Sequence, residues 1–260
     1  MAEVPPEELV RCDVRDRVAW LTLDSPANRN ALSGRLVGQL LDGLAAADRD
    51  DAVRVVLIRA EGGTFCSGAD LTEAVGEGMA KAAGMLVSLQ RAIAALTKPV
   101  VARVHGNVRA GGIGIVAACD IAISTEAASF AFTEVRLGLT PAAISLSVLP
   151  RMTDRAAALT FLTGSAFDGV AAAAYGLVTR AVPEERLDEV VGEVCAELVK
   201  GNPQGLRETK SLLGRALVER IDREGAELSE LSARLFGSAE ARAAMAAFVN
   251  RRKLTSDGGS

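Results

Sequence analysis

Two turns rich in small residues each follow an apolar run, and both could present backbone N–H groups to one ligand. Ser67-Gly68 comes after the run Val53–Ala60, and Gly111-Gly112 comes after the run Pro99–Val104. Two N–H groups that converge on a carbonyl oxygen form an oxyanion hole, which stabilises negative charge as it develops on that oxygen. Glycine suits such a turn because it lets the backbone approach a ligand closely. The two turns therefore predict electrostatic stabilisation of a reacting carbonyl group.

Glu134 is a carboxylate in a weakly polar stretch of the sequence. It stands between Phe132 and Leu137. A carboxylate in apolar surroundings has a raised pKa, which suits acid–base exchange near neutral pH. The competing interpretation is a structural cap or an ion pair, for which Arg136 is a nearby cation in the sequence. The residues alone leave both interpretations open.

The glycine run also admits a different interpretation, a dinucleotide-binding turn. Gly112–Ala117 has the pattern G-x-G-x-x-A after an apolar run, and Glu134 lies near the offset of a ribose-binding acid. That turn should follow its strand closely, whereas residues 105–111 separate the end of the apolar run from Gly112. We therefore favour the oxyanion interpretation over a dehydrogenase.

Composition excludes several other classes of function. The 260 residues carry a net charge of −4 in mixed order, which leaves no basic stripe for nucleic acid. His105 is the only histidine, so histidine-paired catalytic triads and histidine-rich zinc sites are excluded, and we expect no metal site. The four cysteines have no C-x-x-C spacing, and we interpret Cys66 beside the first turn as a packing residue.

The same sequence features predict the compartment. The longest apolar runs are far shorter than the ~20 residues of a membrane span. The N-terminal segment is acidic and lacks the basic region of a secretory signal. Scattered cysteines fit a reducing environment. We therefore expect a cytoplasmic protein that has no membrane segment.

Hydrophobic periodicity predicts the elements that must position these residues. Strands are expected at residues 17–24, 53–60, 99–104, 121–124, 128–132 and 177–182. Helices are expected at residues 34–47 with Ser33 as N-cap, and at 78–96, 141–149, 153–162, 168–175, 184–200, 203–219, 223–236 and 238–250. Strand–helix alternation before residue 120 indicates an α/β fold with parallel strands. We divide the chain into a core, residues 1–200, and a helical C-terminal segment, residues 201–260, with a disordered tail.

Several ordered motifs resemble the crotonase family, the enoyl-CoA hydratases and isomerases. The stretch Phe65–Leu71 resembles its first signature, His105–Ile121 its second and Phe130–Pro141 its third. Shorter matches follow in the family's order at Leu162–Gly164, Tyr175–Val178, Val182-Pro183, Asn202-Pro203 with Lys210, and Phe248–Lys253. The resemblance spans nearly the whole chain. It implies a crotonase-type ββα spiral core and a C-terminal helical segment that assembles homotrimers or dimers of trimers.

The resemblance implies binding of an acyl-CoA thioester and stabilisation of its enolate. It assigns the two oxyanion N–H groups to Ser67 and Gly111, and the acid–base role to Glu134. It also implies that the CoA moiety is held at the first signature and at the loop after the first strand, by Ala27, Arg29, Ser67, Ala69, Asp70 and Leu71. Coenzyme A then enters as part of the substrate, and no separate cofactor is expected.

Gly114 is the main departure from the family's pattern. The resemblance places the first of two hydratase glutamates three residues after the oxyanion glycine, where this chain has Gly114. The run Pro141–Ser145 also differs from the usual glycine-rich start of a helix. Both features are similar to a branch of methylglutaconyl-CoA-hydratase-like members. The leading expectation is a 2-enoyl-CoA hydratase. A double-bond isomerase that uses Glu134 alone and a non-catalytic acyl-CoA-binding protein remain as alternatives.

Arg109, beside the second turn, is charged where the resemblance leads us to expect an apolar residue. Its guanidinium could meet a second carboxylate on the acyl chain, as in a glutaconyl-type substrate. The alternative is that the side chain points outward or pairs with an acid of the protein, because arginines mostly find local partners.

Overall fold

The computed structural model describes residues 7–70, 73 and 78–247. Its strands are β1 (Val10–Arg15), β2 (Val18–Leu23), β3 (Val55–Ala60), β4 (Thr64–Cys66), β5 (Val100–Val104), β6 (Asn107–Arg109), β7 (Ile121–Thr125), β8 (Ser129–Ala131), β9 (Phe167–Asp168) and β10 (Arg180–Val182). Its helices are α1 (Gly34–Arg49), α2 (Gly78–Ala95), α3 (Gly111–Ala118), α4 (Ala142–Val148), α5 (Asp154–Thr163), α6 (Gly169–Ala174), α7 (Leu187–Val199) and α8 (Pro203–Phe236). Short 3-10 turns cover Pro26–Asn28, Thr133–Leu137 and Glu184–Arg186, and residues 239–247 are helical.

The larger sheet has the strand order β1-β2-β3-β5-β7-β10. β1 pairs antiparallel with β2, and all other neighbours pair parallel. A parallel sheet is covered on both faces, which explains why β3 and β5 are almost entirely apolar. One face packs on side chains of α1 and α2, and the other packs on α7. The predicted α/β class with parallel strands is confirmed.

A second, smaller sheet brings three short strands side by side. Its order is β4-β6-β8-β9, and β4, β6 and β8 are parallel. Cys66 pairs with Val108, and Val108 pairs with Phe130, so these residues form one row across the sheet. The carboxyl ends of the three strands therefore lie at the same edge. The segments that follow them start about 5 Å apart, the usual spacing of neighbouring strands.

Helix boundaries agree with the sequence predictions in α1 and α2 and differ near the C-terminus. Ser33 caps α1 as expected, since its Oγ accepts a hydrogen bond from the Leu36 N–H at 3.2 Å. The prediction of two helices at residues 203–219 and 223–236 is wrong, because α8 is continuous. Ile221, in the predicted break, is buried in a cluster with side chains of α2 and α4, and this packing stabilises the helical turn.

α8 packs along α2 and α4. Arg91 on α2 donates two hydrogen bonds to the carboxylate of Asp222 on α8, at 2.5 and 3.1 Å. Gly225 lies so close to Val87 that a Cβ atom at position 225 would be 2.8 Å from its Cγ1. The predicted boundary near residue 200 falls just before α8, and the division into two units remains a prediction.

A buried ion pair joins α8 to the larger sheet. Lys210 Nζ donates to Asp120 Oδ2 at 2.7 Å and to the Ile93 carbonyl at 3.0 Å. The same Asp120 oxygen accepts the Val100 N–H at 2.7 Å, at the start of β5. One buried ammonium thus satisfies acceptors at the end of α2 and beside the sheet.

Replacing Lys210 by methionine should destabilise the protein strongly. The substitution leaves the Asp120 carboxylate without its cation, and breaking a buried ion pair costs about 3–5 kcal/mol. Because the Asp120 side chain is 25% exposed, we expect a loss near the lower limit, about 3 kcal/mol in the free energy of unfolding by urea.

Lys200→Met is the matched control, because Lys200 forms an exposed pair with Glu197 at 2.5 Å. We expect this change to alter the free energy of unfolding by less than about 1 kcal/mol. Equal losses in K210M and K200M would contradict the structural role assigned to the buried pair.

Candidate active site

The two small-residue turns meet at the edge where β4 and β6 end. A Cβ atom added to Gly68 would lie 2.9 Å from the Cβ of Ala110. A Cβ atom added to Gly112 would lie 2.7 Å from the Cβ of Cys66. Only glycine fits these two contacts, because real Cβ atoms do not approach other heavy atoms so closely. The two turns are therefore in close contact, and the convergence of their N–H groups on one ligand stays a prediction.

In the first turn, the free N–H group belongs to Ala69. The N–H of Ser67 is donated to the Arg29 carbonyl at 3.1 Å. Gly68 and Asp70 both pair with Leu32. The Leu32 N–H donates to the Gly68 carbonyl, and the Leu32 carbonyl accepts the Asp70 N–H. Within the described residues, the Ala69 N–H has no acceptor. This corrects the prediction for Ser67, because its N–H is already hydrogen bonded within the protein.

In the second turn, Gly111 begins helix α3, so its N–H has no acceptor inside the helix. The carbonyl of the preceding residue, Ala110, accepts the N–H groups of Ile113 at 2.9 Å and Gly114 at 3.4 Å. Ala110 itself has φ 45° and ψ −117°, a conformation that costs a non-glycine residue about 1–3 kcal/mol. The Gly111 N–H is thus presented at a helix N-terminus by a strained residue.

Glu134 lies in the 3-10 turn that follows β8, the strand beside β6. Its Oε2 atom is buried and has no hydrogen-bond partner within the described residues. Burial raises the pKa of Glu134 to about 7, and a hydrogen bond to its own backbone opposes this rise. Arg136 instead binds the Thr163 carbonyl at 3.2 Å. The ion pair considered as an alternative does not form.

An aromatic cluster supports the strand and turn that carry Glu134. Its ring centroids are separated by 4.4 to 6.0 Å, within the range of favourable aromatic contacts. The sequence analysis did not identify this cluster, because its members come from distant segments: Phe130, Phe132, Phe161, Phe167 and Tyr175. Their packing holds β8 and β9 together against the helices.

The loop after β2 lies beside the first turn, as the expected CoA contacts require. Ala27 and Arg29 are exposed, and Arg29 has φ 53°. Asn28 Nδ2 donates to Asp70 Oδ2 at 2.7 Å, which joins the loop to the segment after β4. Ala69 and Asp70 are partly buried. Leu71, the remaining predicted contact, lies outside the described residues.

Asn30 organises this loop, and the sequence analysis missed it. The side chain is fully buried. Its Oδ1 accepts the Ser25 N–H at 2.8 Å, and its Nδ2 donates to the carbonyls of Glu61 and Thr64 at 2.9 and 2.8 Å. These bonds connect the loop to both ends of the turn before β4. The turn chemistry of the segment around Asn30 was the available signal in the sequence.

A cavity of about 220 Å³ adjoins the two turns. It lies between α1, α2 and the segment after β4, with Leu32, Ser33, Ala69, Asp70, Met85 and Leu86 in its wall. A Cβ atom added to Gly111 would lie 2.7 Å from Leu32 and 3.3 Å from Leu86. The Gly111 backbone is therefore next to this cavity, and apolar side chains form much of the wall.

Ile144 on α4 occupies the space beside Gly114. A Cβ atom at position 114 would lie 2.9 Å from Ile144 Cγ2 and 3.4 Å from the side-chain amide carbon of Gln90. Ser147 Oγ donates to Gln90 Oε1 at 2.6 Å, and Gln90 Nε2 donates to the Ala143 carbonyl at 3.1 Å. These polar groups satisfy one another. The position where the resemblance expects a first glutamate thus faces an aliphatic side chain.

Among the residues that the structure describes, Arg109 pairs with no carboxylate. Its guanidinium donates to the Val108 carbonyl and to Asn107 Oδ1, each at 3.0 Å. It also donates to Ser129 Oγ at 3.0 Å and to the Ser129 carbonyl. The prediction of a substrate contact is therefore not favoured, because four local acceptors hold the side chain on β6 and β8. The partners are neutral groups, and the acidic partner that we considered is not among them.

Cys66, beside the first turn, is fully buried. Burial raises the pKa of the Cys66 thiol to about 12, which fits the packing role expected for it. No cluster of three or more histidine, cysteine, aspartate or glutamate side chains is arranged to hold a metal ion in residues 7–70, 73 and 78–247. Over the same residues, no helix is long and apolar enough to cross a bilayer.

Gly114→Ala should destabilise the protein by about 1–3 kcal/mol, because the added methyl group overlaps Ile144 in a closely packed region. Urea unfolding would measure the loss, and the additional substitution Ile144→Ala should reduce it. Gly38→Ala in α1 is the control, since nothing lies within 4 Å of a Cβ atom there. That change should stabilise the helix by up to about 1 kcal/mol. If G114A behaved like G38A, the steric account would be wrong.

Comparison with known proteins agrees with this architecture. The enoyl-CoA hydratase/isomerase family model matches residues 13–258. The crystal structure of an enoyl-CoA hydratase from Mycobacterium avium is similar to this chain with a TM-score of 0.89 and 45% identity, covering 94% of this chain and 97% of that one.

Curated relatives with hydratase and isomerase names are also similar. The 1,2-epoxyphenylacetyl-CoA isomerase of Escherichia coli is 30% identical, with 94% of this chain and 97% of the relative covered. The 2,3-dehydroadipyl-CoA hydratase of the same organism is 28% identical, with 92% and 94% covered. The two sheets and C-terminal helices form the crotonase fold expected from the motifs. The chain belongs to the enoyl-CoA hydratase/isomerase family.

Proposed function

We propose that the protein is an enzyme that adds water to a 2-enoyl-CoA thioester. In this proposal Glu134 is the acid–base group, and the N–H groups of Ala69 and Gly111 stabilise the thioester enolate. The observation that carries it is the buried Glu134 Oε2, which has no hydrogen-bond partner among the residues that the structure describes and belongs to a carboxyl group with a pKa of about 7. Such a group can both accept and return a proton near neutral pH.

One carboxylate suffices for the addition. The Glu134 carboxylate removes a proton from water, and the resulting hydroxide adds to the β-carbon of the enoyl group. The α,β double bond then becomes the enolate, whose oxygen accepts hydrogen bonds from the Ala69 and Gly111 N–H groups. The protonated Glu134 returns its proton to the α-carbon. Atoms and charge balance, and the carboxylate is regenerated.

Contacts to the CoA moiety are proposed at the loop after β2 and the segment after β4. Asn28 and Asp70 join these two segments. Arg29 is exposed beside them, where its guanidinium can pair with a CoA phosphate. Ala27, Ala69 and Asp70 offer backbone groups, and contacts by Ser67 and Leu71 stay predictions. Coenzyme A would be part of the substrate, with no further cofactor.

Double-bond isomerisation is the second candidate function. It is favoured by Gly114, which has no carboxylate of its own, and by Ile144, whose side chain occupies the space beside that position. Glu134 alone can remove a proton from the α-carbon of a 3-enoyl thioester and return it to the γ-carbon. Acyl-CoA binding without turnover is the third possibility, and the assays described next separate all three.

Two substrates distinguish these functions. Crotonyl-CoA should lose the absorbance of its conjugated thioester if the enzyme is a hydratase. A 3-enoyl-CoA should gain that absorbance if the enzyme is an isomerase. Calorimetric binding of butanoyl-CoA without either change would establish a binding protein and overturn both catalytic proposals.

A trimer or a dimer of trimers is the assembly that we propose. Exposed aliphatic side chains support self-association: Leu159 and Leu162 on α5, and Val170 on α6. Sedimentation equilibrium would test it, and a monomer at micromolar concentration would contradict it.

Glu134→Gln should lower kcat by about 10²–10⁴-fold on whichever enoyl substrate is used, because the amide cannot transfer the proton. The KM value should change little, since the side chain keeps its size. Glu126→Gln is the control, because Glu126 is exposed on the turn after β7. Retention of full activity in E134Q would remove Glu134 from the mechanism.

The pH dependence of kcat/KM should report the raised pKa of Glu134. The carboxylate form starts the reaction, so activity should rise with pH through one ionisation near pH 7 and level off above it. A profile that is flat from pH 5.5 to 8.5 would disagree with this assignment. The residual activity of E134Q should lack the ionisation.

A further inference from the structure

Arg109 precedes the strained residue Ala110, and its hydrogen-bond partners within the described ranges are all neutral groups. We propose that Arg109 is a positioning residue, which clamps β6 to β8, holds Ala110 in place and so keeps the Gly111 N–H directed at the reacting carbonyl. This inference rests on the proposed function, because it takes the Gly111 N–H as an oxyanion donor. It gives the guanidinium a role that needs no contact with the acyl chain.

The guanidinium joins the two strands that lead to the reacting groups. Nη2 donates to Asn107 Oδ1 on β6 and to Ser129 Oγ on β8, both at 3.0 Å. Nη1 donates to the Val108 carbonyl at 3.0 Å and to the Ser129 carbonyl. Asn107 and Ser129 are direct partners in the sheet. The side chain therefore fixes the spacing of β6 and β8 one residue before the turn begins.

Ala110 needs such support because of its backbone conformation. Its φ of 45° and ψ of −117° are unfavourable for any residue with a side chain, and they persist only where the surroundings enforce them. The Gly111 N–H belongs to the peptide plane that follows Ala110. Relaxation of Ala110 would rotate that plane, and the N–H would turn away from the thioester oxygen.

The same clamp connects the two reacting groups. β6 leads to Gly111, and β8 leads to Glu134 five residues after Ser129. Loosening the strands would change the separation of the oxyanion donor and the carboxylate. A planar guanidinium with several donors suits this task, whereas a lysine ammonium cannot reach the same acceptors together.

A chromophoric thioester measures the proposed role directly. A cinnamoyl-type CoA ester absorbs at longer wavelength when hydrogen bonds polarise its carbonyl group, so its red shift on binding reports the oxyanion hole without turnover. Arg109→Met should reduce this shift and lower kcat about tenfold or more, because small displacements of a donor are costly. The Kd of butanoyl-CoA should change by less than about threefold. The Arg109→Lys variant should have a red shift and a kcat between those of the wild-type protein and the Arg109→Met variant.

Ala110→Gly tests the link to backbone strain. Glycine adopts the required conformation readily, so the turn should depend less on the clamp. In the A110G background, Arg109→Met should lower kcat by no more than about threefold. An equal effect of Arg109→Met in both backgrounds would overturn the proposal.

Arg151→Met is the structural control, because Arg151 donates to the carbonyls of Ala117 and Cys119 at the other end of α3, at 3.0 and 3.1 Å. It should lower the thermal midpoint and leave the red shift unchanged. If R109M, like R151M, left the red shift unchanged, the positioning role would be wrong although the proposed function would stand. If the wild-type protein neither shifted the probe nor turned over an enoyl-CoA, the proposed function itself would fail.

Discussion

The parallel pairing of three short strands is the constraint on which the candidate site depends. Cys66, Val108 and Phe130 form one row across β4, β6 and β8, so all three strands end at the same edge. Each strand delivers a different group: a backbone N–H, a helix N-terminus and a carboxylate. The larger sheet and its helices provide the burial that this arrangement requires. A shift of one residue in the register would turn these groups toward the other face.

The long elements could be predicted from the sequence because they repeat a pattern over many residues. Apolar runs identified β3 and β5, and helical spacing identified α1 and α2. β4 and β6 have three residues each, too few to show alternation, so the sequence pattern does not distinguish them from turns. α8 was divided in the prediction because its charged residues weaken the apolar spacing around Ile221, whereas burial of that side chain keeps the helix continuous.

The sequence predicts which turns form the candidate site, but it does not predict which N–H groups of those turns are free to bind a ligand. Motifs placed the predicted oxyanion pair and Glu134 in segments that the fold brings to one edge. They did not show which N–H is free, because this depends on the pairing of the Gly68 and Asp70 backbone with Leu32. Gly114 and Ile144 illustrate the same limit. Both residues depart from the family's pattern, and this was visible in the sequence. Only their contact in the structure shows that the Ile144 side chain fills the space that a side chain at position 114 would need.

The buried pair of Lys210 and Asp120 has a consequence for synthesis of the chain. The two residues are 90 positions apart, and a ribosome that adds about 5–20 residues per second needs roughly 5–20 seconds to make the interval. During that time the nascent chain carries an Asp120 carboxylate without its cation and an α2 helix without its α8 partner. β9 and β10 complete the two sheets before α8 is made. The packing of α8 on α2 is therefore a late event of translation, and chaperones would meet an intermediate with an uncovered apolar helix.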